Sequence, residues 1–134
     1  MTPELEKIYN IAFDLIKTRL NKKEQVYPFT IHLIKGEEKP VILMRESLTS
    51  DQIKNFVESL REEMKSLSLK GDVTALCICY DMHITDPRTN EETDAALVEL
   101  ADRNGTKNIY VPYNFQDEEI IKRPFESQSE EVYL

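Results

Sequence analysis

Cys77, Cys79, Asp81 and His83 occupy alternate positions of one stretch, a spacing that on a β-strand turns all four side chains to the same face. Two thiols, a carboxylate and an imidazole raise metal binding first. Alternate strand residues can offer two ligands to one ion, but four of them spread over about 20 Å cannot converge on it. A structural zinc site draws paired ligands from separate elements, and the sequence holds no other cysteine and one other histidine, His32. Neither a metal nor a cofactor is expected. On a strand the two cysteines stand with Cα atoms about 6.6 Å apart, at the long edge of disulfide geometry. Buried free thiols suit a reducing compartment. His32 alternates with Ile31 and Leu33 and reads as an outward strand residue.

Acid–base chemistry comes second. Asn104-Gly105 is a strong two-residue turn signal that pairs Arg103 with Thr106, Leu100 with Ile109, Val98 with Val111 and Glu99 with Tyr110. In the preceding strand Leu76, Ile78, Tyr80 and Met82 form the better core set, which leaves Cys77, Cys79, Asp81 and His83 facing away. Keeping both core sets on one side places Asp81 near Glu99 and His83 near Leu97, and a one-residue slip would bury Glu99. The expected open face thus gathers Asp81, His83, Leu97, Glu99 and Tyr110 as a candidate binding surface. Neighbouring carboxylates raise each other's proton affinity, and a histidine beside them exchanges protons near neutrality. No catalytic residue is assigned, because nothing activates a particular serine or cysteine. The GxxxxGK, GxGxxG, GxSxG and HExxH patterns do not occur, and three glycines are too few for a phosphate-cradling loop.

The elements that position these residues follow from hydrophobic period and turn chemistry. Thr2 can cap a helix with Pro3 at its first position; Leu5, Ile8, Tyr9, Ala12, Phe13, Ile16 and Leu20 then recur at helical spacing until Asn21-Lys22-Lys23-Glu24. A second helix begins at Thr49-Ser50-Asp51-Gln52, where Thr49 and Gln52 have capping-box spacing. Its stripe is Ile53, Phe56, Val57, Leu60, Met64 and Leu67, and Gly71 stops it. Alternation marks strands near 27–33, 41–45, 73–85, 95–102 and 107–113, with Gly36-Glu37-Glu38-Lys39 as a hairpin loop and 86–93 as a polar connection. The order α-β-β-α-β-β-β predicts one α+β domain over residues 1–115, a mostly antiparallel five-stranded sheet with two helices packed on one face.

A chain of 134 residues fits one domain. Lys+Arg is 17 against Asp+Glu 25, a net charge of −8 that repels phosphate backbones, so no nucleic acid is expected as partner. The longest unbroken apolar run, 75–80, is six residues, against about 20 needed to span a bilayer. Met1-Thr2-Pro3-Glu4-Leu5-Glu6 shows no basic and apolar leader, and the reading is cytoplasmic. Residues 116–134 hold six acids against Lys122 and Arg123, half the net charge, and read as an acidic, solvated C-terminal tail.

Tyr80-Asp81, Thr93-Asp94-Ala95, Asn104-Gly105 and Val111-Pro112-Tyr113 resemble the C-terminal hairpins of a group of small uncharacterised bacterial α+β proteins with a YD…TDA…LE…NG…PY layout. The resemblance implies a bacterial, cytoplasmic α+β protein and brings no activity with it. The residues themselves point to a non-enzymatic interaction protein, an adaptor or an immunity-type neutraliser of a basic protein, that uses the open sheet face. The alternative is a small-ligand-binding protein or hydrolytic enzyme centred on Asp81, His83, Glu99 and Tyr110. Cys77, Cys79, Ala95, Leu97, Ala101 and Pro112 would leave that face partly apolar, which favours a homodimer closed through it over cover by the tail.

Overall fold

The computed structural model describes residues 1–37, 39–44 and 49–128. Helix α1 (Pro3–Asn21) starts where Thr2 Oγ1 accepts the Leu5 N–H at 3.3 Å, with Glu4 and Glu6 in its first turn and Arg19 in its last, each matching the helix dipole. Helix α2 (Ser50–Leu69) starts with the predicted capping box: Gln52 N donates to Thr49 Oγ1 at 3.3 Å and Thr49 N donates to Gln52 Oε1 at 2.9 Å. Gly71, at φ +77°, ends it. The strands are β1 (Phe29–Ile34), β2 (Val41–Met44), β3 (Val73–Asp86), β4 (Glu91–Asp102), β5 (Gly105–Tyr113) and β6 (Phe125–Gln128). They form one sheet in the order β2-β1-β3-β4-β5-β6, antiparallel at every pairing. The fold is α+β, as expected. Arg45 and Glu38, assigned to the second strand and its hairpin loop, lie outside the described residues.

The helices lie on opposite faces of the sheet, not on one. Leu5, Ile8, Ala12, Ile16 and Leu20 of α1 pack with Cys77, Cys79, Val98, Leu100 and Ile109. Val57 and Met64 of α2 pack with Leu76, Ile78 and Ala101 on the other side. The reason is register: β3 meets β4 with Cys77 opposite Leu100 and Ile78 opposite Glu99, so the two apolar sets assumed to share a face are separated by the pleat. Each set is then covered by its own helix. His32, expected to face outward, is buried for the same reason, since it pairs with Leu76 under the α2 layer.

Two further corrections concern the C-terminal strands. The β4–β5 turn is Arg103-Asn104, not Asn104-Gly105: Asp102 pairs with Gly105 and Leu100 with Lys107, two residues from the expected register and therefore of unchanged parity. Asp102 accepts the Asn104 N–H at 2.8 Å, and Gly105 leaves the turn at φ +140°, where a side chain would be strained. The sheet has a sixth strand, drawn from the segment read as solvated tail. Ile120 and Ile121 pack against the α1 core, Lys122 N donates to Pro112 O at 2.8 Å, and Phe125–Gln128 pairs with β5. Those apolar residues, set among acids, cap the open edge of β5. Glu130, Glu131, Val132 and Tyr133 lie outside the described residues.

The patch that favoured a dimer is already buried within one chain: Cys77, Cys79, Ala95 and Ala101 are inaccessible and Leu97 nearly so. No helix among the described residues is long and apolar enough to cross a membrane. A part-buried polar link ties the start of α1 to the end of β4. The Thr2 hydroxyl, while capping α1, donates to Asp102 at 2.8 Å, so one carboxylate holds both the helix start and the β4–β5 turn. Asp102→Ala strips both acceptors and is expected to lower the unfolding free energy by about 1–3 kcal/mol, read as a drop in urea midpoint at constant m. A change within about 0.5 kcal/mol, the range of an ordinary surface substitution, would show that the link is incidental.

Candidate functional site

β3 and β4 run on together past their neighbours. Pairing of β3 with β1 stops at Phe29–Cys79, and pairing of β4 with β5 stops at Asp94–Tyr113, whereas β3 and β4 remain paired out to Asp86–Glu91. The polar connection expected over 86–93 is thus strand at Asp86 and at 91–93, closed by a turn over 87–90 with Asn90 at φ +60°. Arg88 secures it by donating from Nη2 to Asp86 at 3.0 Å.

On the α1 face of this arm His83, Asp94 and Tyr113 align across three strands, and Asp81 stands one rung further in. The Tyr113 hydroxyl donates to Asp81 Oδ1 at 2.7 Å, and His83 Nδ1 lies 3.1 Å from Asp94 Oδ1. Glu92 is 3.9 Å from the other imidazole nitrogen. A shallow cavity of about 330 Å3 opens here, lined by His83, Glu92, Thr93, Asp94, Tyr113 and Phe115 among others. Burial raises the Asp81 carboxyl to about 6; the Tyr113 hydrogen bond opposes the rise and the Asp94 charge adds to it. Tyr113 sits above the usual phenol range through burial first, then its bond to Asp81 and the charges of Asp81 and Asp94. His83 is raised by its hydrogen bond to Asp94 and by the charges of Asp94 and Glu92. Among the described residues, His83 is the sole ion-pair partner of Glu92 and Asp94.

Glu99, Leu97 and Tyr110 belong to the other face. Glu99 is buried, the outcome that the sequence argument took as an objection to this register, and α2 meets the cost. Arg61 Nε and Nη2 reach the two Glu99 carboxylate oxygens at 3.4 and 2.5 Å. Arg61 Nη2 also donates to the Tyr80 hydroxyl at 2.9 Å, which itself donates to Glu99 at 3.0 Å. Arg61 Nη1 donates to Glu58 at 3.0 Å. Burial, then the Glu99 charge, lifts Tyr80 beyond the usual phenol range. Tyr110 stacks on Phe125 with ring centroids 5.2 Å apart, and Leu97 is buried.

The structure therefore brings Asp81 and His83 together and parts them from Leu97, Glu99 and Tyr110. Asp94 and Tyr113 complete the first cluster; Asp94 falls between the polar connection at 86–93 and the strand at 95–102 in the sequence reading, and Tyr113 ends the strand at 107–113. Arg61 and Tyr80 complete the second, and the signal for them was Glu99 itself, a lone charge inside the apolar run from Ala95 to Ala101. Cys77 and Cys79 are fully buried; desolvation pushes the Cys77 thiol up to about 12 and Cys79 well above its ordinary value, so neither is a nucleophile. What the arm can do chemically is receive a cation: the carboxylates of Glu92 and Asp94 line the concavity, and Asp81, partly desolvated against a phenol, stands one rung further in. No family model matches the chain, and neither a curated protein nor a solved structure matches it.

Proposed function

We propose that this chain is a non-enzymatic interaction protein whose β3–β4 arm engages a basic partner, as an adaptor or an immunity-type neutraliser does. The observation that carries the reading is the arm: a two-stranded ribbon extended beyond its neighbours, with Asp81, His83, Glu92 and Asp94 on one face. Isolated two-stranded ribbons are marginal in water, and a polar one contributes little to the core. A lysine or arginine of the partner, seated between Asp94 and Asp81, would offset the burial of the Asp81 carboxylate. Asp81, His83, Glu99 and Tyr110 stand on two faces, so the hydrolytic alternative lacks its common centre. The free thiols of Cys77 and Cys79 fit a cytoplasmic setting.

The test is saturable capture by the immobilised chain at low salt, run beside a Glu92→Gln/Asp94→Asn variant. Retained protein should be basic, weaken as salt rises, and bind the variant about tenfold less. Binding should also fall between pH 7 and 5, because Asp81 loses charge near 6. Equal capture by the variant, or no saturable partner, would reject the arm as the interface.

A further inference from the structure

The β2 edge carries what the covered faces of the sheet do not, a run of exposed apolar side chains. β2 ends the strand order and pairs on one side only, with β1. Successive strand residues point to opposite faces, yet Ile42, Leu43 and Met44 are 44%, 36% and 37% exposed. Both faces of this edge are therefore apolar and open. Neither a proline nor a charge interrupts Val41–Met44, and those are devices by which sheets protect their edges. On the α1 face the strand continues into a groove of about 530 Å3 at the end of α1, lined by Leu15, Arg19, Lys22, Tyr27, Phe29 and Met44 among others.

Charge selects the occupant. Residues 17–39 hold six basic side chains against three acids, so this segment carries +3 and the rest of the chain −11. The excess lies at the Met44 end, where Lys22 and Lys23 are exposed beside an Arg19 that pairs with Glu24 at 3.0 Å. We infer that β2 and this groove dock an extended acidic–apolar segment of a partner protein as a seventh strand. Every pairing in the sheet is antiparallel, and an antiparallel guest places the residues that precede its apolar run beside Met44. Its carboxylates therefore stand N-terminal to the apolar run. Main-chain hydrogen bonds supply the affinity, the apolar edge selects the run and the lysines select its charge. This surface is separate from the β3–β4 arm.

The probe is acetyl-Glu-Glu-Val-Ile-Val-Tyr-amide, titrated into the isotope-labelled full chain and followed by amide chemical shifts. Saturable shifts confined to 41–44 and 19–29 are expected, weakened at least tenfold in a Lys-Lys counterpart of the probe and in Leu43→Lys. Should Leu43→Lys misfold, Lys22→Glu/Lys23→Glu at the exposed helix end carries the same charge test. Absent or unsaturable shifts, shifts on the arm, or equal binding of the Lys-Lys probe would overturn the inference. So would sedimentation of the free chain as a dimer that Leu43→Lys dissociates, since a second copy would then own the edge.

Discussion

Arg61→Ala is expected to lower the unfolding free energy by about 3–5 kcal/mol, a large part of what a domain this size has in hand. Its partner Glu99 lies in the middle of β4 with a nearly inaccessible carboxylate, opposite Ile78 and under α2. Truncating Arg61 leaves that charge in a low-dielectric site with the Tyr80 hydroxyl among its remaining donors. The converse changes separate desolvation from pairing. Glu99→Gln keeps an acceptor for Tyr80 and leaves the largely buried guanidinium with Glu58, so it should cost about 1–2 kcal/mol. Arg61→Met/Glu99→Leu removes both charges and fills the space, and should return to within about 1–2 kcal/mol of the natural chain. Urea midpoints at constant m decide it. If Arg61→Ala costs less than about 1 kcal/mol, the pair behaves as a surface bridge and water reaches Glu99.

That pair also marks where the sequence is legible and where it is not. Both helices, their caps and their stops stand where Thr2, Pro3, Thr49, Gln52 and Gly71 predict, because capping chemistry is local. The face each helix covers is not local. It depends on strand register, and the rule that keeps a lone charge such as Glu99 out of the core holds only when no cation is at hand. Arg61, 38 residues earlier on a helix, supplies the cation, and nothing in the spacing announces that contact. The β3 run from Ala75 to Cys79, apolar at every position, was the one local sign of a strand covered twice. The sixth strand was hidden similarly: Ile120, Ile121 and Phe125 sit among acids whose average character is that of a solvated tail, yet three apolar residues suffice to seal the β5 edge. Of the candidate site, Asp81 and His83 were legible from alternation alone. Asp94 and Tyr113 required knowing how far the β3–β4 arm extends.

Asp81→Asn is expected to make the protein more stable at pH 7.5 while weakening its grip on a basic partner. In the folded chain the carboxyl is raised from 3.8 to about 6, mainly by burial. The folded state therefore holds this proton more tightly than the unfolded state does. Well below the ordinary value of 3.8 both states carry the proton and the group contributes no pH dependence. As the pH rises from 4 to 6 the unfolded state releases the proton first, and stability declines across that window. Above about 6 the loss is complete, on the order of 3 kcal/mol for a shift of roughly two units. An asparagine presents a carbonyl to the Tyr113 hydroxyl without ever ionising, so it escapes the decline. The difference in unfolding free energy between Asp81→Asn and the natural chain should grow by about 2–3 kcal/mol from pH 4 to pH 7.5. Using that difference cancels the titration of groups common to both, including the buried His32, whose imidazole burial holds below its ordinary value. A flat difference would mean that water reaches Asp81 freely, and the cluster with Tyr113 and Asp94 would then be an ordinary solvated surface. A rising difference together with full partner capture would leave Asp81 a purely structural cost and shift the electrostatic role to Glu92 and Asp94. A rising difference with lost capture is the expected result: a carboxylate kept at the expense of stability because the partner's cation requires it.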